Sequence, residues 1–157
     1  MFKSWNWELK NYVAFAKIWR EKHPNTQFLV LGDTRIEEKA QFFTKHLGND
    51  LINLVGKTTL EEAFVITSKV TLMISEDSGL LHIAWALKIQ TVALIGSTHK
   101  DLSVQPGEHI ISLTSDDLPC GNCMKPDCQF GEIPTCLSRY SPVMIMELAE
   151  KLRQKKP

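Results

Sequence analysis

The sequence predicts an α/β protein with a Rossmann-like, doubly wound parallel sheet. Short apolar segments rich in β-branched residues alternate with longer segments of helical periodicity along most of the chain. The short segments are apolar throughout rather than alternately apolar and polar, as expected for strands that are covered by helices on both faces. The 157 residues suit one domain with a sizeable core, so residues 1–157 are interpreted as a single domain.

The first half of the chain contributes three predicted helices and two predicted strands. Residues 7–22 have apolar side chains at helical spacing, and His23-Pro24 ends that helix. Gly48 is a plausible C-cap of the second helix. The third helix is opened by a Thr-x-x-Glu capping box that begins at Thr58 or at Thr59. In chain order the predicted elements are helix 7–22, strand 28–31, helix 36–47, strand 51–55 and helix 58–68.

The second half continues the alternation and adds an irregular segment. A loop through Pro106-Gly107 separates two of its strands, and a loop with four cysteines, at residues 118–140, precedes the last helix. The predicted elements are strand 70–74, helix 80–87, strand 91–95, strand 109–113 and helix 142–154. In a doubly wound sheet, ligands bind beyond the carboxyl ends of the strands. Four segments meet this criterion: 32–35, 56–58, 76–82 and 96–99.

Composition excludes several classes of protein. Eighteen basic and eighteen acidic residues give a formal net charge of zero, which disfavours binding to nucleic acid through a global field. No apolar run is long enough to span a bilayer, and the N-terminus lacks the apolar core of a signal peptide. We therefore expect a cytoplasmic protein, in which cysteines are thiols or metal ligands rather than structural disulfides.

The most informative segment is the turn between the strand at 70–74 and the helix at 80–87. Asp77 or Ser78 can cap that helix, and Gly79 lets a ligand approach the backbone. Exposed N–H groups and the helix dipole favour an anion at this position, commonly a phosphate. His82 lies one helical turn after Ser78 and faces the same side. An ordinary capped helix with a solvated histidine is the simpler alternative.

Two other catalytic patterns are absent. Gly56-Lys57-Thr58 looks like the end of a P-loop, but Ile52 occupies the place of the upstream glycine, so a turn and a helix cap are the better interpretation. No Gly-x-Ser-x-Gly elbow surrounds Ser78, and no histidine relay is evident, which disfavours a hydrolytic triad.

The cysteines form one cluster in a polar loop. Their spacing of two, four and seven intervening residues begins with a pair that is typical of zinc loops, and the loop has few apolar residues to order it. A structural zinc or iron ion is one interpretation, and free thiols or loose disulfides are the other. The candidate ligands are Cys120, Cys123, Cys128 and Cys136.

Several ordered motifs resemble glycosyltransferase family 9, the ADP-heptose:lipopolysaccharide heptosyltransferases. The family signature Asp-(Thr/Ser)-Gly-x-x-His is matched at residues 77–82, and Gly-Lys-Thr-x-Leu at residues 56–60. Gly-x-Thr is matched at residues 96–98, and the cysteine loop before Ser141-Pro142 also has a counterpart. Lys-x-Trp is matched by Lys3 and Trp5. The resemblance covers nearly the whole chain and corresponds to the C-terminal, donor-binding half of these GT-B enzymes.

The resemblance implies that the chain binds an ADP-sugar, with heptose or a related sugar, for inverting transfer to the lipopolysaccharide inner core. The catalytic residues are unknown, since the family's general base lies on an N-terminal acceptor domain that this chain lacks. Transfer would require no cofactor, and peripheral association with the inner membrane would fit the acceptor. The implied donor-binding residues are Lys3, Asp77, Ser78, Gly79, His82 and Thr98.

Three interpretations therefore remain after the sequence alone. The first is the donor-binding half of a glycosyltransferase, which we expect to be inactive on its own. The second is a nucleotide-binding or assembly module without catalysis, and the third is a metal-stabilised interaction domain in which the cysteine loop is the functional part.

Overall fold

Helices and parallel strands alternate through most of the computed structural model, which describes residues 6–103, 106–131 and 135–154. The helices are α1 (Leu9–Lys22), α2 (Glu37–Leu47), α3 (Leu60–Thr67), α4 (Gly79–Ala86), α5 (Thr135–Ser138) and α6 (Pro142–Gln154). The strands are β1 (Phe28–Val30), β2 (Leu51–Asn53), β3 (Met73–Glu76), β4 (Thr91–Leu94) and β5 (Ile110–Leu113). Short 3-10 helices occupy Thr34–Ile36, Gly48–Asp50 and Lys100–Leu102. The predicted α/β class is confirmed.

The described strands pair in parallel and form two hydrogen-bonded groups. β1 pairs with β2, and β4 lies between β3 and β5. The register places Glu76 beside Leu94, and Leu94 beside Leu113. Parallel strands in register end at the same edge, so the carboxyl ends of β3, β4 and β5 lie side by side.

Helices cover both faces of β4, as a doubly wound fold requires. Successive strand side chains point to opposite faces, and Val92 and Leu94 belong to the larger core with α1 and α6. Ala93 joins Leu81 of α4 in a smaller cluster on the other face. All four residues of β4 are buried, which explains why its sequence is apolar without alternation.

Two helix caps that the sequence predicts are present in the structure. Gly48 ends α2 at a φ of 55°, and its N–H donates to the carbonyl of Thr44. Of the two predicted capping boxes, the structure forms the one at Thr59, whose hydroxyl accepts from the N–H of Glu62 at 3.2 Å. The Glu62 carboxylate in turn accepts from the N–H of Thr59 at 2.8 Å.

One predicted strand is shifted toward the C-terminus. β3 runs to Glu76 instead of ending at residue 74, because Val70 closes a turn on Thr67 and pairing with β4 begins at Met73. The shift moves Glu76 out of the turn and into the strand. Helix α5, inside the cysteine loop, was not predicted at all.

Within the described residues, no helix is both long enough and apolar enough to cross a membrane.

Candidate functional site

The segments that follow β3, β4 and β5 meet at one edge of the sheet. The Ser115 hydroxyl, after β5, donates to the carbonyl of Gly96, after β4, at 2.7 Å. The Ser103 hydroxyl approaches Asp77 Oδ1, after β3, at 3.4 Å. These contacts join the three segments into one surface, which we call the donor edge: residues 77–82, 95–103 and 114–115.

The helix start at the donor edge is well formed. Ser78 is extended, with φ −159° and ψ 164°, and its hydroxyl accepts from the N–H of Leu81 at 3.3 Å. The Ser75 hydroxyl donates to the carbonyl of Glu76 at 2.8 Å and contacts the Ser78 hydroxyl at 3.1 Å. The first N–H groups of a helix have no acceptor within it. With Leu81 satisfied by the cap, the N–H groups of residues 79 and 80 are available to an anion.

Gly79 leaves space above this helix start. A Cβ atom built on Gly79 meets no atom within 4 Å. Its φ lies outside the left-handed region, so neither packing nor backbone conformation requires a glycine here. The residue is exposed, and the absence of a side chain keeps the surface open over the N–H groups.

The structure brings most of the predicted donor-binding residues to this edge. Asp77 is partly buried, whereas Ser78, Gly79 and His82 are exposed. Thr98 also lies at the edge but is buried, with 6% of its surface exposed. Lys3 lies outside the described residues.

Glu76, just before the donor edge, falls within the candidate segment 76–82, but the sequence assigns it no role. Its carboxylate is largely buried and accepts hydrogen bonds from the backbone N–H of Trp7 at 2.7 Å and from the Tyr12 hydroxyl at 3.1 Å. The Lys39 ammonium lies 3.4 Å from its second oxygen. Burial raises the pKa of Glu76, while Lys39 and the other donors oppose that rise. The sequence signal was available only in part: an acidic residue closes the strand, but nothing local identifies its partners.

The two other strand ends have structural roles. Asp33 caps the 3-10 helix Thr34–Ile36 and forms an exposed ion pair with Arg35 that lowers the pKa of Asp33. Gly56 has φ 67°, and a Cβ there would come within 2.8 Å of Thr34, so a turn requires this glycine. Lys57 donates to the carbonyl of Asn53 at 3.0 Å. The interpretation of 56–58 as a turn rather than a P-loop agrees with this geometry.

The cysteine loop is fastened to the donor edge. Met124 N–H donates to the carbonyl of Ser97 at 2.9 Å, and the Ser97 hydroxyl donates to the carbonyl of Lys125 at 3.1 Å. The N–H of Asn122 donates to the Ser115 hydroxyl at 3.1 Å. The loop therefore forms a wall beside the segment that follows β4.

All four cysteines line one cavity of about 290 Å³ in this loop. They are free thiols. Burial raises the pKa of Cys136, and the neighbouring thiols of Cys128 and Cys123 raise it further. Across residues 6–103, 106–131 and 135–154, no three or more Cys, His, Asp or Glu side chains are arranged to hold a metal ion. The cluster predicted from sequence is thus gathered around one cavity, and the metal itself stays a prediction.

A second cluster follows β5. Arg139 donates to both carboxylate oxygens of Asp117, at 2.5 and 2.7 Å, and to the carbonyl of Thr114 at 2.7 Å. Its guanidinium lowers the pKa of Asp117. The Tyr140 hydroxyl also donates to Thr114, at 2.8 Å. These contacts hold the end of β5 against the start of α6.

Comparison with known proteins supplies a family. The model of glycosyltransferase family 9 (heptosyltransferase) matches residues 2–133. Lipooligosaccharide heptosyltransferase 2 of Campylobacter jejuni is 28% identical over 151 residues, covering 93% of this chain and 46% of that protein. Lipooligosaccharide heptosyltransferase 2 of Haemophilus influenzae is 40% identical over 62 residues, 40% of this chain and 18% of that protein. The chain spans less than half the length of these relatives.

Solved structures agree on the fold. ADP-heptose lps heptosyltransferase II of E. coli superimposes with a TM-score of 0.80 at 21% identity, over 98% of this chain and 43% of that chain. The family 9 glycosyl transferase of Veillonella parvula gives 0.77 at 19% identity, with the same coverage. A family model that matches most of the residues, together with a shared fold, leads to one conclusion: the chain belongs to glycosyltransferase family 9.

Proposed function

We propose that this chain is a donor-binding domain, residues 1–157, of a heptosyltransferase-like glycosyltransferase. It binds the diphosphate of an ADP-sugar at the start of α4. The observation that carries the proposal is the open space over Gly79, next to a helix start whose cap is already made by Ser78. A helix start with free N–H groups binds an anion without reorganisation.

In this proposal the residues around the turn contact different parts of the ligand. The N–H groups at residues 79 and 80 bind phosphate oxygens. Asp77 accepts hydrogen bonds from sugar hydroxyls, because a carboxylate that faced the phosphate directly would be repelled. His82, one turn into α4 and exposed, donates to a phosphate or ribose oxygen. Lys3 adds a point charge to the diphosphate.

Transfer to the lipopolysaccharide inner core requires a second domain in this proposal. The relatives are about twice as long as the chain, and a catalytic cleft between two domains would bury the nucleotide. We assign the general base and the acceptor site to that other domain, and inversion at the anomeric carbon to the whole enzyme. The chain alone would bind ADP without transferring sugar, in the cytoplasm or at the inner face of the membrane.

Amide NMR with an ADP titration tests this proposal. Half a cleft leaves the base and sugar exposed on one side, so we expect an affinity between micromolar and millimolar, about −8 to −4 kcal/mol. Shifts should concentrate at Ser78, Gly79 and His82. Asp77→Ala should weaken binding of an ADP-sugar more than binding of ADP. If several millimolar ADP moves none of these resonances, the nucleotide site is wrong and a binding module of another kind is favoured.

A further inference from the structure

A single buried carboxylate joins the donor edge to the segment that leads into α1. Glu76 is the last residue of β3, and its side chain is 18% exposed. Its Oε1 atom accepts from the backbone N–H of Trp7 at 2.7 Å and from the Tyr12 hydroxyl at 3.1 Å. The donors come from 64 and 69 positions earlier in the chain. The contacts are therefore tertiary ones that the turn itself does not need in order to form.

Helix α2 contributes the cation. The ammonium of Lys39 lies 3.4 Å from Glu76 Oε2 and also donates to the side-chain oxygen of Asn6. A largely buried ion pair of this kind contributes little stability by itself, because desolvation offsets much of the attraction. What it provides is a fixed geometry: one ammonium contacts both the carboxylate and the segment before α1.

Trp7 holds that segment from its other side. Trp7 is 1% exposed, and its indole N–H donates to the carbonyl of Tyr140 at 2.8 Å. The indole also meets the Tyr12 ring edge to face, with ring centroids 4.8 Å apart. The backbone N–H of Trp7 is thus hydrogen-bonded to Glu76, and its side chain packs in the larger core. Trp7 therefore links the larger core directly to the carboxylate.

The backbone of Glu76 is bonded into the helix start as well. Its carbonyl accepts from the Ser75 hydroxyl, which contacts the Ser78 hydroxyl that caps α4. Asp77 follows directly in the chain. The side chain of Glu76 therefore faces the segment before α1, while its main chain ends β3 and leads directly into the turn that we propose binds phosphate.

We propose that Glu76 is a positioning residue that couples the donor turn to the segment 6–12. This inference rests on the function proposed above, since the coupled ligand is the nucleotide diphosphate. Coupling of this kind is reciprocal. Ordering of segment 6–12 tightens nucleotide binding at the turn, and a nucleotide bound at the turn stabilises segment 6–12. Glu76 touches no substrate itself.

The test compares ADP affinity and hydrogen exchange of the Trp7 amide in three proteins. In Glu76→Ala we expect ADP binding to weaken by about fivefold or more, a typical coupling. Saturating ADP should slow exchange of the Trp7 amide in the unmodified chain, and this effect should vanish in Glu76→Ala. Glu76→Gln keeps an acceptor for the Trp7 N–H but loses the ion pair, so its affinity should lie between the two. If Glu76→Ala does not fold, Glu76→Gln carries the test, and an unchanged affinity there overturns the inference.

The matched control is Glu150→Ala. Glu150 is a similarly buried carboxylate that contacts His23 at 2.5 Å between α6 and the end of α1, away from the donor edge. This variant should lose stability while retaining ADP affinity. If Glu76→Ala behaves in the same way, with lower stability and unchanged affinity, Glu76 is merely structural and the inference is overturned. If the unmodified chain does not bind ADP, both the proposed function and this inference fail. A failure of the inference alone is distinguishable, because the unmodified chain then still binds ADP.

Discussion

Replacing Gly79 with alanine separates ligand binding from folding. The built Cβ atom meets nothing within 4 Å, and the backbone is not left-handed, so the folded protein accepts the methyl group. Alanine is favoured over glycine in a helix by up to about 1 kcal/mol, so stability should stay the same or rise. The proposed site puts the phosphate in that open space over Gly79, so a phosphate oxygen bound to the N–H groups at residues 79 and 80 would contact the methyl group. We therefore expect Gly79→Ala to fold normally and to bind ADP poorly.

The size of the effect follows from the hydrogen bond that the methyl group would displace. A hydrogen bond to a charged group contributes about 1.5–3 kcal/mol. Removing one such bond to the diphosphate lowers affinity by about 10- to 150-fold, at about 1.4 kcal/mol for each factor of ten. Calorimetry or an NMR titration with ADP measures the affinity, and a thermal melt measures stability on the same sample.

The control is Gly48→Ala, which should behave in the opposite way. Gly48 also has free space around it, but its φ of 55° strains any side chain, at a cost of about 1–2 kcal/mol. This variant should melt earlier and bind ADP normally, since residue 48 ends α2 and lies outside the donor edge. Unchanged ADP affinity in Gly79→Ala, with the unmodified chain binding, would refute the assignment of the phosphate to this helix start.

Two further predictions concern pH and metal. Burial raises the pKa of Glu76 above its ordinary value of 4.5, so the folded chain holds the Glu76 proton more tightly than the unfolded chain does. The contribution of Glu76 to the free energy of unfolding should therefore fall as the pH rises from about 4.5 through the raised pKa. Denaturant melts across this range should show a loss that Glu76→Gln lacks, and parallel curves for the two proteins would contradict the direction of the shift. For the cysteine loop, the sequence predicts one zinc or iron ion held by four thiols. The thiols line one cavity, but within the described residues they are not arranged to hold an ion, so binding would have to draw them together. Elemental analysis of protein purified without added metal should find the ion, and Cys120→Ser should release it while the sheet stays folded. Less than about a tenth of an equivalent would reject the metal.

The sequence predicted the helices and strands because their signals are local. Pro142 at the first position of α6, Gly48 at the end of α2 and the capping box at Thr59 all act within a turn of their own residue. The donor turn was predictable for the same reason, since strand, cap and glycine are contiguous. On its own this turn predicts only an ordinary capped helix. The expectation of a nucleotide ligand comes from the family resemblance.

What the sequence could not predict depends on distant contacts. The end of β3 is set by pairing with β4, so local apolarity placed it two residues early. The burial of Glu76 depends on Trp7, in the segment before α1, and on Lys39, in α2. The cysteines gather around one cavity in a loop that is hydrogen-bonded to the distant Ser97. Spacing alone indicated a cluster, without showing which surface it would adjoin.

The hydrogen bonds between Ser97 and the cysteine loop also suit the protein to fluorescence labelling beside the donor edge. Cys123 is exposed and directly precedes Met124, whose N–H is bonded to the Ser97 carbonyl. Cys120, Cys128 and Cys136 are less exposed than Cys123, and burial raises the pKa of Cys136, which slows its reaction with alkylating dyes. A fluorophore attached at Cys123 would therefore sit on the loop beside the donor edge, next to the residue that is hydrogen-bonded to Ser97. Its emission would report ligand binding at that edge without a substitution in any strand.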